Sequence, residues 1–279
     1  MKKSYRGGNL EKSQELIRKM KDSKCSFTVV SGGQSKKILF QNKGETYKKK
    51  TYYGNAKSQH LPGVFMCNIV KKDIDLYIKS EKEIPSHKNK PSLLLYNFKE
   101  IEKLCDEEKT ELSYAIDINS CYFQTAYNLG FISKKTFMRG WKDRDLYKYG
   151  ILASIGTLNK REVIETYIDG ELISTEYEEE NYNKYSPFYW AVINRVNEVM
   201  NQIAEILGDD FYMWLTDCAV FKKGREKEVE NFLEDKNFRV EYEKIDKRKI
   251  YWYDYSKAKS KYVNYHKRCG FEPDLIITK

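Results

Sequence analysis

Apolar residues recur at two periods along this chain, and each change of period marks an element. Leu16, Ile17 and Met20 fall on one face of a short helix predicted over residues 9–21. Ser26-Phe27-Thr28-Val29-Val30 reads as a strand that ends at Gly32-Gly33. Lys36 to Phe40 reads as its return, with Gly33-Gln34-Ser35 turning between them. The alternation is lost from Asn42 to Lys57, where Lys48-Lys49-Lys50 precedes Tyr52-Tyr53. Such a run reads either as a solvated loop or as a nucleic-acid surface, since rings stack on bases and ammonium groups meet phosphates. Pro85, His87 and Pro91 give residues 80–92 the look of a linker. The predicted division is therefore a basic N-terminal region over 1–90, a linker over 91–112 and a second domain beyond it.

In the second domain Tyr114-Ala115-Ile116-Asp117-Ile118 is an apolar run carrying one carboxylate, predicted as a buried strand with Asp117 at its end. Ser120 to Leu129 follows as a helix stopped by Gly130. Pro187 suits a first helical position, and Ala191, Ile193, Val196, Val199, Met200 and Ile203 recur at helical spacing as far as Gly208. Phe211 to Leu215 and Ala219 to Phe221 read as strands joined tightly around Thr216-Asp217-Cys218, a hairpin with an acid at its tip. Arg225 to Lys236 is a charged amphipathic helix, Phe238 to Tyr242 a strand and Lys249 to Tyr253 another. That order predicts an α+β fold, an antiparallel sheet with helices on one face, beside a small basic N-terminal α+β region.

Composition adds three points. With 41% hydrophobic and 14% aromatic residues among 279, the chain can bury a core, so wholesale disorder is not expected. Charge is uneven: residues 1–112 carry 24 basic and 14 acidic side chains, residues 113–245 carry 17 and 23, and residues 246–279 carry 9 and 4. Most of the basic residues are Lys, 40 against 10 Arg, which suits phosphate contact without base readout. An AT-rich coding sequence would give the same Lys excess, and charge alone does not separate the two. The six cysteines include no C-x-x-C pair and there are three histidines, so zinc spacing is missing and a reducing, cytoplasmic compartment is expected. Met1-Lys-Lys-Ser-Tyr-Arg-Gly-Gly has no apolar stretch behind its charges, and no run of about 18 apolar residues occurs, so neither export nor a membrane partner is expected.

The candidate chemistry lies at Asp117 and Asp217, each delivered by a short apolar strand. An aspartate there either ends its strand by turn chemistry or, if the strands are neighbours, needs a cation between like charges. Carboxylate oxygens are hard ligands that suit Mg²⁺, and paired carboxylates holding two such ions suit in-line phosphoryl or nucleotidyl transfer.

The residues around both acids carry a resemblance. Asp117-Ile118-Asn119-Ser120-Cys121-Tyr122-Phe123 resembles motif A of family B DNA polymerases, D-x-x-S-L-Y-P, and especially the D-x-N-S-x-Y form of its protein-primed phage branch. Met213-Trp214-Leu215-Thr216-Asp217-Cys218-Ala219-Val220-Phe221 is similar to motif C, Y-x-D-T-D-S. The Pro187 helix with Arg195 precedes the hairpin as the family's helix does. Lys249-Ile250-Tyr251 resembles the K-x-Y element, and Lys267-Arg268-Cys269-Gly270 the K-x-x-G segment. The resemblance spans residues 113–271 and implies a polymerase palm with shortened fingers over about 131–186.

It implies further that Asp117 and Asp217 are catalytic and hold the metal together with Ile118. Asn119, Ser120, Cys121 and Tyr122 would line the dNTP site, with Lys148 for its phosphates, alongside Lys142 and Arg144 as other phosphate-neutralising choices. Tyr122 would be the steric gate against a 2′-hydroxyl, although it also reads as a core aromatic on its helix. Thr216, Lys249, Tyr251 and Lys267 would contact DNA. The implied partners are a DNA primer and template or a DNA end, dNTPs, and a second replication subunit or priming protein. The implied cofactor is a pair of Mg²⁺ ions, with Mn²⁺ as a substitute, and the implied setting is a phage or mobile element acting in the host cytoplasm.

The sequence departs from the pattern at Leu215 for the first Asp of D-T-D, Cys218 for Ser and Phe123 for Pro. Motif B survives only as Lys148-Tyr149-Gly150-Ile151-Leu152-Ala153-Ser154-Ile155-Gly156, and residues 1–112 are not read as a proofreading exonuclease. The expected activity is thus dNTP addition to a 3′-hydroxyl without proofreading. The alternatives are a non-catalytic nucleic-acid-binding protein on a decayed palm and a subunit of a split polymerase.

Overall fold

The computed structural model describes residues 10–32, 35–40, 48–53, 61–86, 113–215 and 217–245. The chain divides into two compact units, residues 1–87 with 130–190, and residues 88–129 with 191–279. Each unit is α+β and each contains an antiparallel sheet.

In the first unit, α1 (Leu10–Asp22) precedes β1 (Phe27–Gly32) and β2 (Ser35–Phe40), which pair antiparallel with Val29 opposite Ile38. The Lys- and Tyr-rich run forms a strand, β3 (Lys48–Tyr53), because β2 offers it an edge to pair with. α2 (Leu61–Lys79) follows, with no counterpart in the sequence reading. Later come α4 (Lys134–Lys142), α5 (Arg144–Gly156), β5 (Val163–Ile168) and β6 (Glu171–Tyr177). The sheet order is β3-β2-β1-β5-β6, with Phe27 opposite Tyr167 and their rings stacked at 4.5 Å. Residues 131–186, expected as fingers of the second domain, thus share a unit with the N-terminal residues: β5 completes the sheet that β1 begins.

In the second unit, β4 (Ser113–Ile118) leads into α3 (Cys121–Asn128). α6 (Glu180–Leu207), whose residues from Ala191 onward belong to this unit, is followed by β7 (Phe211–Leu215), β8 (Cys218–Lys222), α7 (Glu226–Asp235) and β9 (Val240–Ile245). The sheet order is β7-β8-β4-β9, antiparallel throughout. Ile116 and Ile118 of β4, Phe211 and Trp214 of β7, and Ala219 and Phe221 of β8 share one face by register. They form a single core with Cys121 of α3, Val199, Met200 and Ile203 of α6, and Val229 and Leu233 of α7. Alternation along each strand therefore buries one face under helices and places Ala115, Asp117, Cys218 and Val220 on the other.

α6 begins seven residues earlier than the Pro187 start that the sequence suggests, and Pro187 lies inside it. A proline that deep forfeits a backbone hydrogen bond. The burial of Tyr185, Ser186 and Phe188 around it offsets that loss, and Phe188 meets Phe131 and Tyr77 edge-on at 5.0 and 5.6 Å. The strand expected at Lys249 to Tyr253 lies outside the described residues.

Candidate functional site

β4 and β8 are direct neighbours, and their register brings the two aspartates to the same end of the sheet. Asp117 stands opposite Cys218, and one residue further along the Ile118 N–H donates to the Asp217 carbonyl oxygen at 3.0 Å. Asp217 thus occupies the turn between β7 and β8, as the tight hairpin predicts. The strand around Asp117 is buried at Ala115, Ile116 and Ile118, but Asp117 itself is exposed. The strand is buried as its apolar run predicts, and Asp117 near its end is exposed although Ala115 and Val220 on the same face are buried.

The two carboxyls differ in setting. Burial pushes the Asp217 carboxyl above the ordinary aspartate range, with a backbone hydrogen bond opposing, and no described lysine or arginine draws it back. The Cys121 thiol, at the start of α3, is pushed well up by burial and by the charges of both Asp217 and Asp117, with a hydrogen bond to Thr125 working against them. Both carboxylates therefore act on one buried sulfur, which is the electrostatic trace of their convergence.

The backbone after Asp117 turns sharply. Asn119 is buried, and Ser120 takes a left-handed conformation (φ 49°, ψ 47°) before α3 begins. A non-glycine residue in that region needs its surroundings to hold it. Gln124 supplies the hold: fully buried, it donates through Nε2 to the carbonyl oxygens of Asn119 (2.5 Å) and Arg239 (3.0 Å). Its Oε1 accepts from the Arg239 N–H at 3.0 Å, and the Asn119 N–H donates to the Arg239 carbonyl at 3.0 Å. One amide side chain thus ties the loop following β4 to the chain entering β9.

Of the residues named from the sequence, Asp117, Ile118, Asn119, Ser120, Cys121, Tyr122 and Asp217 gather at this end of the second unit's sheet. Tyr122 is half-buried, and its ring packs against the helix-covered core. Lys148 is exposed on α5 in the first unit, as Lys142 is on α4. Thr216, Lys249, Tyr251 and Lys267 lie outside the described residues. Two positions escaped the sequence reading. Gln124 looks in sequence like any polar helical residue, and only its burial reveals it. Glu241 is the register partner of Asp117 on β9, and the alternation Val240-Glu241-Tyr242-Glu243 is the signal that sets it there.

Comparison with protein-family models, curated proteins and solved structures finds no match to this chain. Among the described residues no group of three or more His, Cys, Asp or Glu side chains is arranged to hold a metal, and no helix is long and apolar enough to cross a membrane.

Proposed function

We propose that this chain is a Mg²⁺-dependent nucleotidyltransferase that adds deoxynucleotides to a DNA 3′-hydroxyl, on a palm-like sheet related to those of family B polymerases. The observation that carries this reading is the pairing of β4 with β8, which puts Asp117 and Asp217 at one end of adjacent strands. The donor set suits a hard cation: two carboxylates, one of them desolvated, with no described cationic side chain neutralising it. Bound magnesium would supply Lewis-acid polarisation of a phosphoryl oxygen and a more acidic hydroxyl nucleophile.

The chain's own residues do the rest of the work in this reading. Asp117 and Asp217, with Ile118 beside them, would hold the cations. The turn through Asn119, Ser120 and Cys121 presents backbone to the triphosphate, held rigid by Gln124. Tyr122 limits space beneath the sugar, and Thr216, Lys249, Tyr251 and Lys267 serve DNA contacts. Holding the primer hydroxyl and the α-phosphorus in line supplies much of the rate advantage.

Primer extension with purified protein, each dNTP, and Mg²⁺ or Mn²⁺, with and without template, tests the proposal. Metal-dependent incorporation is expected, falling roughly a hundredfold or more in Asp117→Asn and in Asp217→Asn, as loss of several kcal/mol of charge stabilisation implies. No incorporation, or full activity in both variants, sinks it. Tyr122→Ala should raise ribonucleotide use, and unchanged sugar preference removes the gate.

A further inference from the structure

The first unit carries a stretch rich in basic and aromatic residues. Residues 134–149 hold six basic side chains and two acidic ones, Asp143 and Asp145. α4 itself has no acid: Ser133 caps it, accepting from the Thr136 N–H at 3.2 Å, while Thr136, Phe137 and Gly140 face inward. Helical spacing then sets Lys135, Met138, Arg139 and Lys142 on its opposite side. Among the described residues, Lys134, Lys135, Lys142 and Lys148 have no carboxylate partner within ion-pair distance, whereas Lys19, Lys37, Lys160, Lys184 and Lys227 each have one.

Aromatic rings are interleaved with these cations. Phe65 of α2 is 44% exposed, stacks with Tyr147 of α5 at 6.3 Å, and lies under the Arg139 guanidinium at 5.6 Å. Trp141 stacks with Phe137 at 5.7 Å and lies under Arg144 at 5.8 Å. Tyr149 is 39% exposed on the next turn. Partly exposed rings held in place beside lysine ammonium groups match an unpaired polynucleotide, whose bases offer π-faces and whose phosphates need cations. A duplex hides its base faces, and lysine on a flexible stem tracks a backbone without reading base edges.

We propose that the α4–α5 face, with Phe65 of α2, binds single-stranded nucleic acid. This role does not depend on nucleotidyl transfer, and its residues belong to the first unit while Asp117 and Asp217 belong to the second. Fluorescence anisotropy of the full chain with labelled oligothymidylate, a duplex of equal length, and phosphatidylserine vesicles as competitor tests it without added metal or dNTP. The expected result is tighter binding to the single strand than to the duplex. In Lys135→Ala/Lys142→Ala the slope of log K against log salt becomes shallower by about 1.4, at about 0.7 per lost phosphate contact. Phe65→Ala weakens binding roughly tenfold, the scale of one stacked base. Both lysines are exposed, so that variant tests the surface even where Phe65→Ala perturbs folding. Asp117→Asn and Asp217→Asn should bind as the parent does, separating this result from the catalytic one. An unchanged salt slope in the lysine variant overturns the proposal, as does equal affinity for duplex, or vesicles displacing the oligonucleotide while the lysine variant binds DNA normally.

Discussion

Asp217 couples function to stability through its carboxyl. Burial raises its proton affinity in the folded chain above that of the unfolded one, so between those two values the folded state binds more protons. Stability then falls as pH rises through that window, because ionising the group costs more in the folded chain. Asp217→Asn should therefore melt higher than the parent at neutral pH, with the difference vanishing below the ordinary aspartate range; differential scanning calorimetry across pH checks this. Mg²⁺ should stabilise the parent and leave the variant unmoved. Gln124 works in the opposite direction. Gln124→Leu strands the Asn119 and Arg239 backbone groups that it satisfies, and urea unfolding should show a loss on the order of 2–3 kcal/mol. Of these residues the aspartates were legible in sequence, because a charge inside an apolar run stands out. Gln124 was not, since nothing local distinguishes a buried amide from an exposed one.

Elements with a clean local period were readable. α1, β1, β2, β4, the β7–β8 hairpin and α7 lie within a few residues of where periodicity and turn residues put them. α2 was not read, and it begins at Leu61-Pro62-Gly63. In the structure that glycine is a contact point: a Cβ on Gly150 of α5 would stand 2.7 Å from the Gly63 Cα and carbonyl oxygen and 2.8 Å from the Met66 Cβ. The close crossing of α2 and α5 rests on having no side chain there. Gly150→Ala should cost about 1–3 kcal/mol, read as a lower denaturant midpoint, even though alanine favours helix in isolation. Pro187 teaches the same lesson in reverse: its local preference for a helix start loses to the burial of Tyr185 and Phe188. β3 is a strand because β2 is beside it, a fact that no window of sequence contains.

At the scale of the whole chain, each unit is assembled from two separate stretches of sequence. A fragment of residues 113–279 would keep β5 but lose β1, its sheet neighbour, and α2, against which α5 packs. It should therefore bind a hydrophobic dye and melt without the full chain's cooperativity, as dye fluorescence and circular dichroism can show. The division also redistributes charge. The first unit has 28 basic and 18 acidic side chains, net +10, and the second 22 and 23, net −1. Cut along the sequence, Asp117 and Asp217 lie in a net negative segment; cut along the fold, nearly all the excess positive charge belongs to the unit carrying α4 and α5. The sequence by itself determined the α+β class, the strand that carries Asp117 and the hairpin that carries Asp217, because those depend on period and turn chemistry within a few residues. Only the tertiary structure decided that the two strands are neighbours, that Gln124 ties the loop after β4 to the chain entering β9, and that Phe65 of α2, Arg139 of α4 and Tyr147 of α5 meet, because such contacts join residues far apart in the chain and follow from burial, not from local preference.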